Sequence, residues 1–506
     1  MPTAVGIGSR IISGALWQGG GQVVTLALAL LTAPIVIRRM GPDSYGTLSL
    51  INTILAYLAI TDLGMGLAST RYGALAFARG DAEEESGVIW SSLFLLTIPV
   101  TLTVVVIIAF SAPICRHLLS LSPGLQDQGV IALRLAAFAS AARVLSGVFN
   151  TPQQVRLRQN LLVFVNLGCS VFQILAVPAV LLLGGGLVSA VVVITTAAVV
   201  AAALQAAIAC RFLPALMTPR LLPRLFGPLA LYGGPEALSS MVLMLLLHAE
   251  KLLIPVFAST RSLAYYSVAF SLASILTVVP HAINLAALPA FSRVLADADN
   301  DRVESLYGGL LRINLFWIVP ALLLAVTGGR PFISLWAGAA YAEKGILPFY
   351  ILLVGVFSET TTSIAHVLLQ ALGRTDLVLR ITLIQAVPYL VGVVLATYYM
   401  GPVGAALAWS LRGSANAVLR VWMVRQVTGL SPNMLPRGSG AYARAVAVLI
   451  IPPVIASPVG GPAYAVVTLA AVVAHLAVVW TQVLTAEEKS MARGFFHRLQ
   501  TVGGGV

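Results

Sequence analysis

The chain has 506 residues, of which 59% are hydrophobic and 9% are charged, and its formal net charge is +12. Since a soluble domain carries roughly 25% charged residues, this composition excludes a soluble fold and indicates a polytopic membrane protein. The basic residues are spread over short loops, so the positive charge predicts loop orientation and not nucleic-acid binding. Long continuous apolar runs favour transmembrane helices over a β-barrel.

The apolar runs predict an all-α integral membrane fold with about 14 spans. The first six are expected at 11–37, 45–70, 88–112, 128–149, 161–183 and 187–210. The next six are expected at 228–257, 264–290, 309–327, 346–370, 381–400 and 403–426. Two more are expected at about 445–459 and 462–485, the former interrupted by "IIPPVIASP".

These spans predict four regions of the chain. They are an N-terminal lobe over 1–210, a cytoplasmic linker over 211–227, a C-terminal lobe over 228–426, and two additional helices with a cytoplasmic tail over 427–506.

Lys and Arg are distributed unequally between the two sides of the predicted spans. With a cytoplasmic N-terminus, 19 of the 30 basic residues fall on the cytoplasmic side, when Arg420 and Arg425 at the cytoplasmic end of the twelfth span are counted there. Six fall in the opposite loops: Arg38, Arg39, Arg116, Arg261, Arg330 and Lys344. Five fall inside spans: Arg134, Arg143, Lys251, Arg312 and Arg412. Because cytoplasmic loops are enriched in Lys and Arg, both termini are predicted to be cytoplasmic.

Loop lengths and cysteines exclude several classes of function. No predicted loop exceeds about 18 residues, which leaves no room for a soluble catalytic domain, so an enzyme is not expected. The three cysteines, Cys115, Cys169 and Cys210, lack the spacing of a metal site. No metal and no cofactor is predicted.

The chain contains signs of an internal duplication. A first match places Pro34 on Pro255 and, at the same offset, Tyr45 on Tyr266. A second match, at a similar offset, aligns Gln154 with Gln370, Arg158 with Arg374 and Gly185 with Gly401. Both matches join spans that are six apart, so the sequence predicts two six-helix lobes related by a pseudo-twofold axis along the membrane normal.

Three segments carry a resemblance to a known family. The first is "TAPIVIRRMGPDSYGTLSLINTILAYLAITDLGMGLASTRYGA" at 32–74, and the second is "HAEKLLIPVFASTRSLAYYSVAFSL" at 248–272. The third is "MGPVGAALAWSL" at 400–411. Their order and spacing resemble the polysaccharide transporters, the Wzx-type flippases of the MOP superfamily, which also holds lipid II flippases and MATE antiporters. The Asp-Arg pair usual in the second segment is Glu250-Lys251 here.

This resemblance implies two six-helix lobes that alternate between inward-open and outward-open forms. It implies a flippase that moves undecaprenyl-pyrophosphate-linked oligosaccharide, such as an O-antigen, capsule or exopolysaccharide repeat unit, across the bacterial inner membrane. The expected partners are that substrate, membrane lipids, and polymerase and chain-length proteins of the same pathway. The protein itself is expected to be a monomer.

Charges inside spans are costly and mark functional candidates. Arg143 and Glu359 coincide under the offset of the second match, and each begins a polar stripe at helical spacing. The first stripe is Arg143, Gly147, Asn150 and Gln154. The second is Glu359, Ser363, His366 and Gln370. The two stripes predict faces that line a central cavity, and the alternative is an interhelical ion pair without a ligand.

A pyrophosphate headgroup requires cations, and arginine pairs with phosphate in a bidentate manner. The candidates are Arg143, Lys251, Arg312, Arg412 and Arg71. Sugar-binding candidates include Gln18 and Gln22 in the first span, although such polar stripes also serve helix packing. Cation coupling would require a titratable group in the membrane, and the candidates are Asp62, Glu236, Glu250, Glu359 and His366.

Two other functions remain open at this point. A MATE-type antiporter would export cationic drugs in exchange for a cation. A membrane polysaccharide polymerase or ligase would use the same lipid-linked donor, but its catalytic residues usually need a sizeable outer loop. The longest predicted outer loop here, 328–345, has few candidates.

Overall fold

The computed structural model describes residues 4–118, 121–296, 300–429, 447–448, 461–483 and 489. Within these residues the chain is helical and contains no strand, so the predicted all-α class is confirmed. Ten helical stretches of the described chain are long and apolar enough to cross a membrane. The chain divides into two compact units, Met1–Ser267 and Val268–Val506.

The first unit contains eight complete helices and the start of a ninth. They are α1 (Ala4–Leu58), α2 (Met65–Ala78), α3 (Ala82–Pro113), α4 (Gln126–Phe149), α5 (Thr151–Val155), α6 (Gln159–Leu182), α7 (Leu187–Phe212), α8 (Phe226–Phe257) and α9 (Thr260–Ile275). The second unit contains the end of α9, then α10 (Val278–Ala296), α11 (Asn300–Trp336), α12 (Ala339–Ala371), α13 (Thr375–Thr428) and α14 (Gly461–Val478).

Two of these helices each account for more than one predicted span. Gly41 in α1 has non-helical angles (φ 71°, ψ 170°), so the arms on either side belong to the first and second predicted spans. Gly401 in α13 (φ 56°, ψ −136°) separates the eleventh and twelfth spans in the same way. The first twelve predicted spans and the fourteenth overlap described helices, whereas almost all of the thirteenth, 445–459, lies outside the described residues. The eighth predicted span, 264–290, is not one helix, because α9 ends at Ile275 and α10 begins at Val278.

The second predicted span, 45–70, is not one continuous helix. It breaks between α1 and α2, where Leu63 and Gly64 have positive φ angles of 47° and 69°. At this break the backbone of Gly64 approaches α8 so closely that a Cβ on Gly64 would lie 2.5 Å from the Gly233 carbonyl oxygen. Both the left-handed conformation and the close approach require glycine. These two requirements explain why glycine follows Leu63 in the sequence Asp62-Leu63-Gly64.

The second match of the sequence repeat is visible in the local backbone of the two units. The helices α6 and α13 begin at equivalent positions of this match, and the residues before them, Arg158 (φ −94°, ψ 48°) and Arg374 (φ −89°, ψ 49°), adopt the same conformation. The positive φ angle of Leu157 recurs at Gly373. In each copy the arginine backbone N–H donates to the carbonyl five residues earlier, at 2.8 and 3.0 Å. These residues form the same turn twice.

The outer turn of the first unit lies against the start of α9. Arg261 donates two hydrogen bonds to the carboxylate of Asp43, at 3.1 and 2.5 Å, and this raises the pKa of the guanidinium. The hydroxyls of Ser49 and Ser267 are 2.6 Å apart. Both contacts join residues at nearly the spacing of the first sequence match. The second arm of α1 and the helix α9 are therefore matching elements that touch each other.

Candidate functional site

A polar cavity of about 500 Å³ lies inside the first unit between α4, α6 and α7. The cavity-lining residues of α4 and its C-cap are Arg143, Ser146, Gly147 and Asn150. Those of α6 are Asn166, Cys169, Ser170 and Gln173, and those of α7 are Ala197, Ala198 and Ala201. The α6 residues follow the i, i+3, i+4, i+7 spacing of one helix face. The small alanines of α7 leave the space that the polar groups surround.

Arg143 is the charged residue of this cavity, and it has no hydrogen-bond or ion-pair partner among the described residues. Its side chain is exposed to the cavity. The Oδ1 atom of Asn150, also in the lining, is buried and has no hydrogen-bond partner in the described part of the chain. Since a charge within a membrane span normally faces a partner or a pathway, the cavity offers an unsatisfied cation and an unsatisfied acceptor to a ligand.

The structure brings together three of the four residues in the first predicted stripe. Arg143, Gly147 and Asn150 line the same cavity. Gln154 lies beyond the end of α4, in α5, and its Oε1 accepts a hydrogen bond of 2.6 Å from the hydroxyl of Thr70. The stripe therefore runs from the cavity to a contact between α5 and α2.

Asp62 lies close to the wall of this cavity. Its carboxylate oxygens accept hydrogen bonds from the Gly66 backbone N–H, each at 3.3 Å. A Cβ placed on Gly147, a lining residue, would lie 3.8 Å from Asp62 Oδ1. Among the predicted coupling candidates whose side chains are described, Asp62 is thus within van der Waals reach of the α4 face that carries Arg143.

A buried ion pair that the sequence did not indicate ties α3 to α5. Arg156 donates hydrogen bonds of 2.5 and 3.0 Å to the two carboxylate oxygens of Glu85, which is only 1% exposed. The guanidinium also lies 4.7 Å from the ring centroid of Phe77.

The acidic run 81–85 caps the start of α3, where carboxylates interact favourably with the helix dipole. Charges in this run also pair with Arg220 and Arg224, so the predicted linker is held against α3.

In the second unit, Glu359 occupies the position that corresponds to Arg143, and it is paired with residues of its own unit. Glu359 accepts hydrogen bonds from Arg420 at 2.8 Å and from Asn416 at 2.9 Å, and Asn416 accepts a further bond from Gln385 at 3.2 Å. The sequence placed Arg420 at the cytoplasmic flank of its span, which is why this pairing was missed. Glu359 therefore has a partner in its own unit.

The other members of the second predicted stripe have different surroundings. Ser363 donates to Asn284 at 3.2 Å, His366 is half-buried with no hydrogen bond to its Nδ1 among the described residues, and Gln370 is exposed.

The cavity and the paired cluster occupy equivalent places in the repeat. The second sequence match sets Glu359 on Arg143, Gln385 on Cys169 and Ala417 on Ala201. In the second unit this corner is filled by side chains that satisfy one another, whereas in the first unit short side chains leave a cavity around a cation for which the described part of the chain supplies no partner. The two copies have diverged at this position from a common framework.

Breaking the Glu359–Arg420 pair is expected to lower the stability of the protein. Both side chains are largely buried, at 24% and 16% exposed, so Glu359→Leu alone leaves an unpaired cation and costs about 1–3 kcal/mol. The double variant Glu359→Leu with Arg420→Leu removes both charges and is expected to recover most of that loss. Thermal unfolding of the purified variants measures the effect, and simple addition of the two single losses would contradict the pairing.

Two of the other predicted cations, Arg412 and Arg71, contact aromatic rings. The guanidinium of Arg412 lies 5.3 Å from the ring centroid of Tyr389 and 5.9 Å from that of Trp409. That of Arg71 lies 4.4 Å from the ring centroid of Tyr232. Both arrangements are cation–π contacts.

The remaining candidates are scattered over the two units. Lys251 and Arg312 are half-buried, in α8 and α11 respectively, and Glu250 is fully buried next to Lys251. Gln22 is exposed, and the adjacent Gly21 packs against Leu167 of α6. The side chains of Gln18 and Glu236 lie outside the described part of the structure. Of the predicted site residues, the structure therefore groups Arg143 and Asn150 in one cavity, with Asp62 beside its wall.

Comparisons with known proteins agree with the membrane-transport character of this fold. Residues 11–295 match a family model described as "Polysaccharide biosynthesis protein". A candidate O-antigen transporter of Shigella flexneri is 21% identical over 426 residues, which are 84% of this chain and 100% of that protein.

Two solved structures show the same fold. The lipid II flippase MurJ, in an inward closed conformation, has a TM-score of 0.73 at 11% identity, over 92% of this chain and 99% of its own. A multidrug resistance MATE family transporter of the MOP superfamily, in an inward-facing conformation, has a TM-score of 0.67 at 15% identity. The match covers 80% of this chain and 94% of that transporter.

Proposed function

The chain belongs to the polysaccharide biosynthesis protein family, and we propose that it is a flippase for a polyprenyl-pyrophosphate-linked oligosaccharide. In this proposal the lipid is undecaprenyl pyrophosphate and the membrane is the bacterial inner membrane. The observation that carries the proposal is the guanidinium of Arg143, which has no partner among the described residues and lies in a polar cavity between apolar helices long enough to cross a membrane. Transport proceeds by alternating access, without covalent chemistry.

The chemistry of the cavity matches an amphiphile with an anionic, hydroxyl-rich head. An arginine fork binds phosphate or carboxylate oxygens in a bidentate manner. The side-chain amides of Asn150, Asn166 and Gln173 and the hydroxyls of Ser146 and Ser170 supply donors and acceptors for sugar hydroxyls. A volume of about 500 Å³ is within the range of small-molecule sites, which is ~300–1,000 Å³.

The same cavity argues against the MATE-type alternative for this chain. An exporter of cationic drugs needs a carboxylate in its binding cavity, and the charged residue in this lining is an arginine. Like charges in a low-dielectric site repel strongly, so Arg143 would disfavour a cationic ligand. For cation coupling we propose Asp62, since it lies beside the cavity wall and is titratable.

Deletion of the gene tests the proposed function directly. A strain without the transporter is expected to accumulate lipid-linked repeat units on the inner leaflet. Lipid extraction followed by mass spectrometry recovers these intermediates with the glycan still attached to the lipid. The accumulated glycan identifies the substrate. A strain that exports normal amounts of polysaccharide, and instead gains sensitivity to cationic dyes, would contradict the proposal and favour the antiporter.

A further inference from the structure

A second cavity in the first unit has a different chemistry. It has a volume of about 350 Å³ and lies between α2, α3 and α8. One side of this tail cleft is formed by Leu63, Met65 and Leu95, and the α8 side is formed by Ala230, Gly234, Ala237, Leu238 and Met241. The five α8 residues follow the i, i+4, i+7, i+8, i+11 spacing, so they share one face of that helix. Every lining residue is apolar or glycine.

The tail cleft is open to the surface of the helix bundle, because several of its lining side chains are exposed. Leu238 is 64% exposed and Met241 is 44% exposed, and Met241 lies in the apolar stretch Ser240–Phe257 of α8, which is long enough to cross a membrane. At the other end the break of the second span turns Leu63 outward, and this side chain is 39% exposed. An apolar cleft in such a position fills with hydrocarbon chain, because water gains no hydrogen bonds there.

A cation lies beside the tail cleft. Arg71 follows Met65 by six residues on α2, about 9 Å along the helix at 1.5 Å per residue. The Arg71 guanidinium lies against Tyr232, which precedes the cleft residue Gly234 by two positions on α8. Arg71 is exposed and forms no ion pair with any residue that the structure describes. The cleft and this arginine together match an amphiphile with an anionic head and an apolar chain.

We infer that the tail cleft binds the first isoprene units of the polyprenyl phosphate portion of the substrate, with its phosphate at Arg71. This inference rests on the proposed function. A volume of about 350 Å³ is within the range of small-molecule sites, which is ~300–1,000 Å³, and is sufficient for the first isoprene units of one chain.

Photolabelling of the full-length protein in phosphatidylcholine vesicles tests this assignment. The probe is a polyprenyl phosphate that carries a diazirine in its second isoprene unit. Labelled peptides are expected from α2 and α8, around Met65 and Met241. Ala237→Trp fills the tail cleft and is expected to reduce this labelling at least tenfold, and Arg71→Gln at least threefold. The matched control is Leu243→Trp, a lipid-exposed α8 position outside the cleft, which should leave the labelling unchanged.

A competition experiment distinguishes the two classes of lipid that could occupy the cleft, a polyprenyl phosphate and a phospholipid. Unlabelled polyprenyl phosphate should suppress the labelling, whereas the same molar excess of phosphatidylglycerol should not. Equal suppression by phosphatidylglycerol, or unchanged labelling of Ala237→Trp, would overturn the inference. Arg71→Gln alters an exposed side chain, so it reports on binding even if Ala237→Trp fails to fold.

A transport measurement in the same vesicles separates failure of this inference from failure of the proposed function. If the vesicles translocate lipid-linked oligosaccharide while the label falls elsewhere, the cleft assignment is wrong and the flippase stands. If α2 and α8 are labelled but no lipid-linked glycan crosses the membrane, the cleft stands and the flippase proposal is wrong.

Discussion

Replacing Arg143 with alanine is expected to abolish polysaccharide export while membrane insertion and folding stay intact. The guanidinium has no described protein partner, so its removal costs the fold little. A hydrogen bond to a charged group contributes about 1.5–3 kcal/mol, so the variant should bind its anionic substrate about 10- to 150-fold more weakly. Complementation of a deletion strain by the variant, with its membrane level measured by immunoblot, gives the result.

Arg134→Ala is the matched control for this substitution. Arg134 lies on the same helix, is also an in-span arginine, and donates to the Ser111 hydroxyl at 3.0 Å, but it does not line the cavity. It should support near-normal export. Arg143→Lys should give an intermediate result, because an ammonium keeps the charge but loses the bidentate geometry. Full export by Arg143→Ala would remove the basis for the cavity assignment.

Replacing Gly355 with alanine is expected to destabilise the second unit by about 1–3 kcal/mol, as overpacked cores do. Gly355 lies in α12, where a Cβ would come within 2.6 Å of the Trp409 ring and 2.8 Å of the Ser410 backbone Cα of α13. Ser410 also donates to the Ile351 carbonyl at 2.7 Å, so the two helices cannot separate freely. Small residues permit such close contact between membrane helices. Thermal unfolding of the purified protein measures the loss.

Gly392→Ala is the control variant, for which no loss of stability is expected. Gly392 lies within α13, and no atom of the described residues comes within 4 Å of a Cβ placed there. In a helix interior alanine is favoured over glycine by up to about 1 kcal/mol, so this variant should be unchanged or slightly more stable. Because Glu359 lies one helical turn from Gly355, Gly355→Ala should also disturb its pairing with Arg420. Equal stability of the two glycine variants would contradict the close helix contact.

The helices and the repeat were predictable from the sequence because both produce a pattern of residue types along the chain. Long apolar runs give the spans, and Gly-containing breaks separate them. The equivalent turns at 158 and 374 preserve residue type at a fixed offset, so they can be aligned. The stripe of Arg143, Gly147 and Asn150 was predictable for the same reason, since helical spacing places these residues on one face.

The partners of those residues were not predictable, because a contact between helices depends on how each helix is rotated about its axis. A span such as α6 is apolar on most of its surface, so its pattern does not show which side faces α4. Asn166 and Gln173 therefore carried no signal as neighbours of Arg143. Arg420 and Arg156 near span ends looked like orientation signals, although the structure pairs them with Glu359 and Glu85.

Translocation in a reconstituted system tests the central claim most directly. Purified protein is placed in vesicles with a fluorescent polyprenyl-pyrophosphate-linked oligosaccharide, and an impermeant quencher reports which leaflet holds the label. The wild-type protein and Arg134→Ala should move the lipid-linked glycan between leaflets, and Arg143→Ala should not exceed protein-free vesicles. Absence of translocation by the wild-type protein, or equal rates for wild type and Arg143→Ala, would contradict the account.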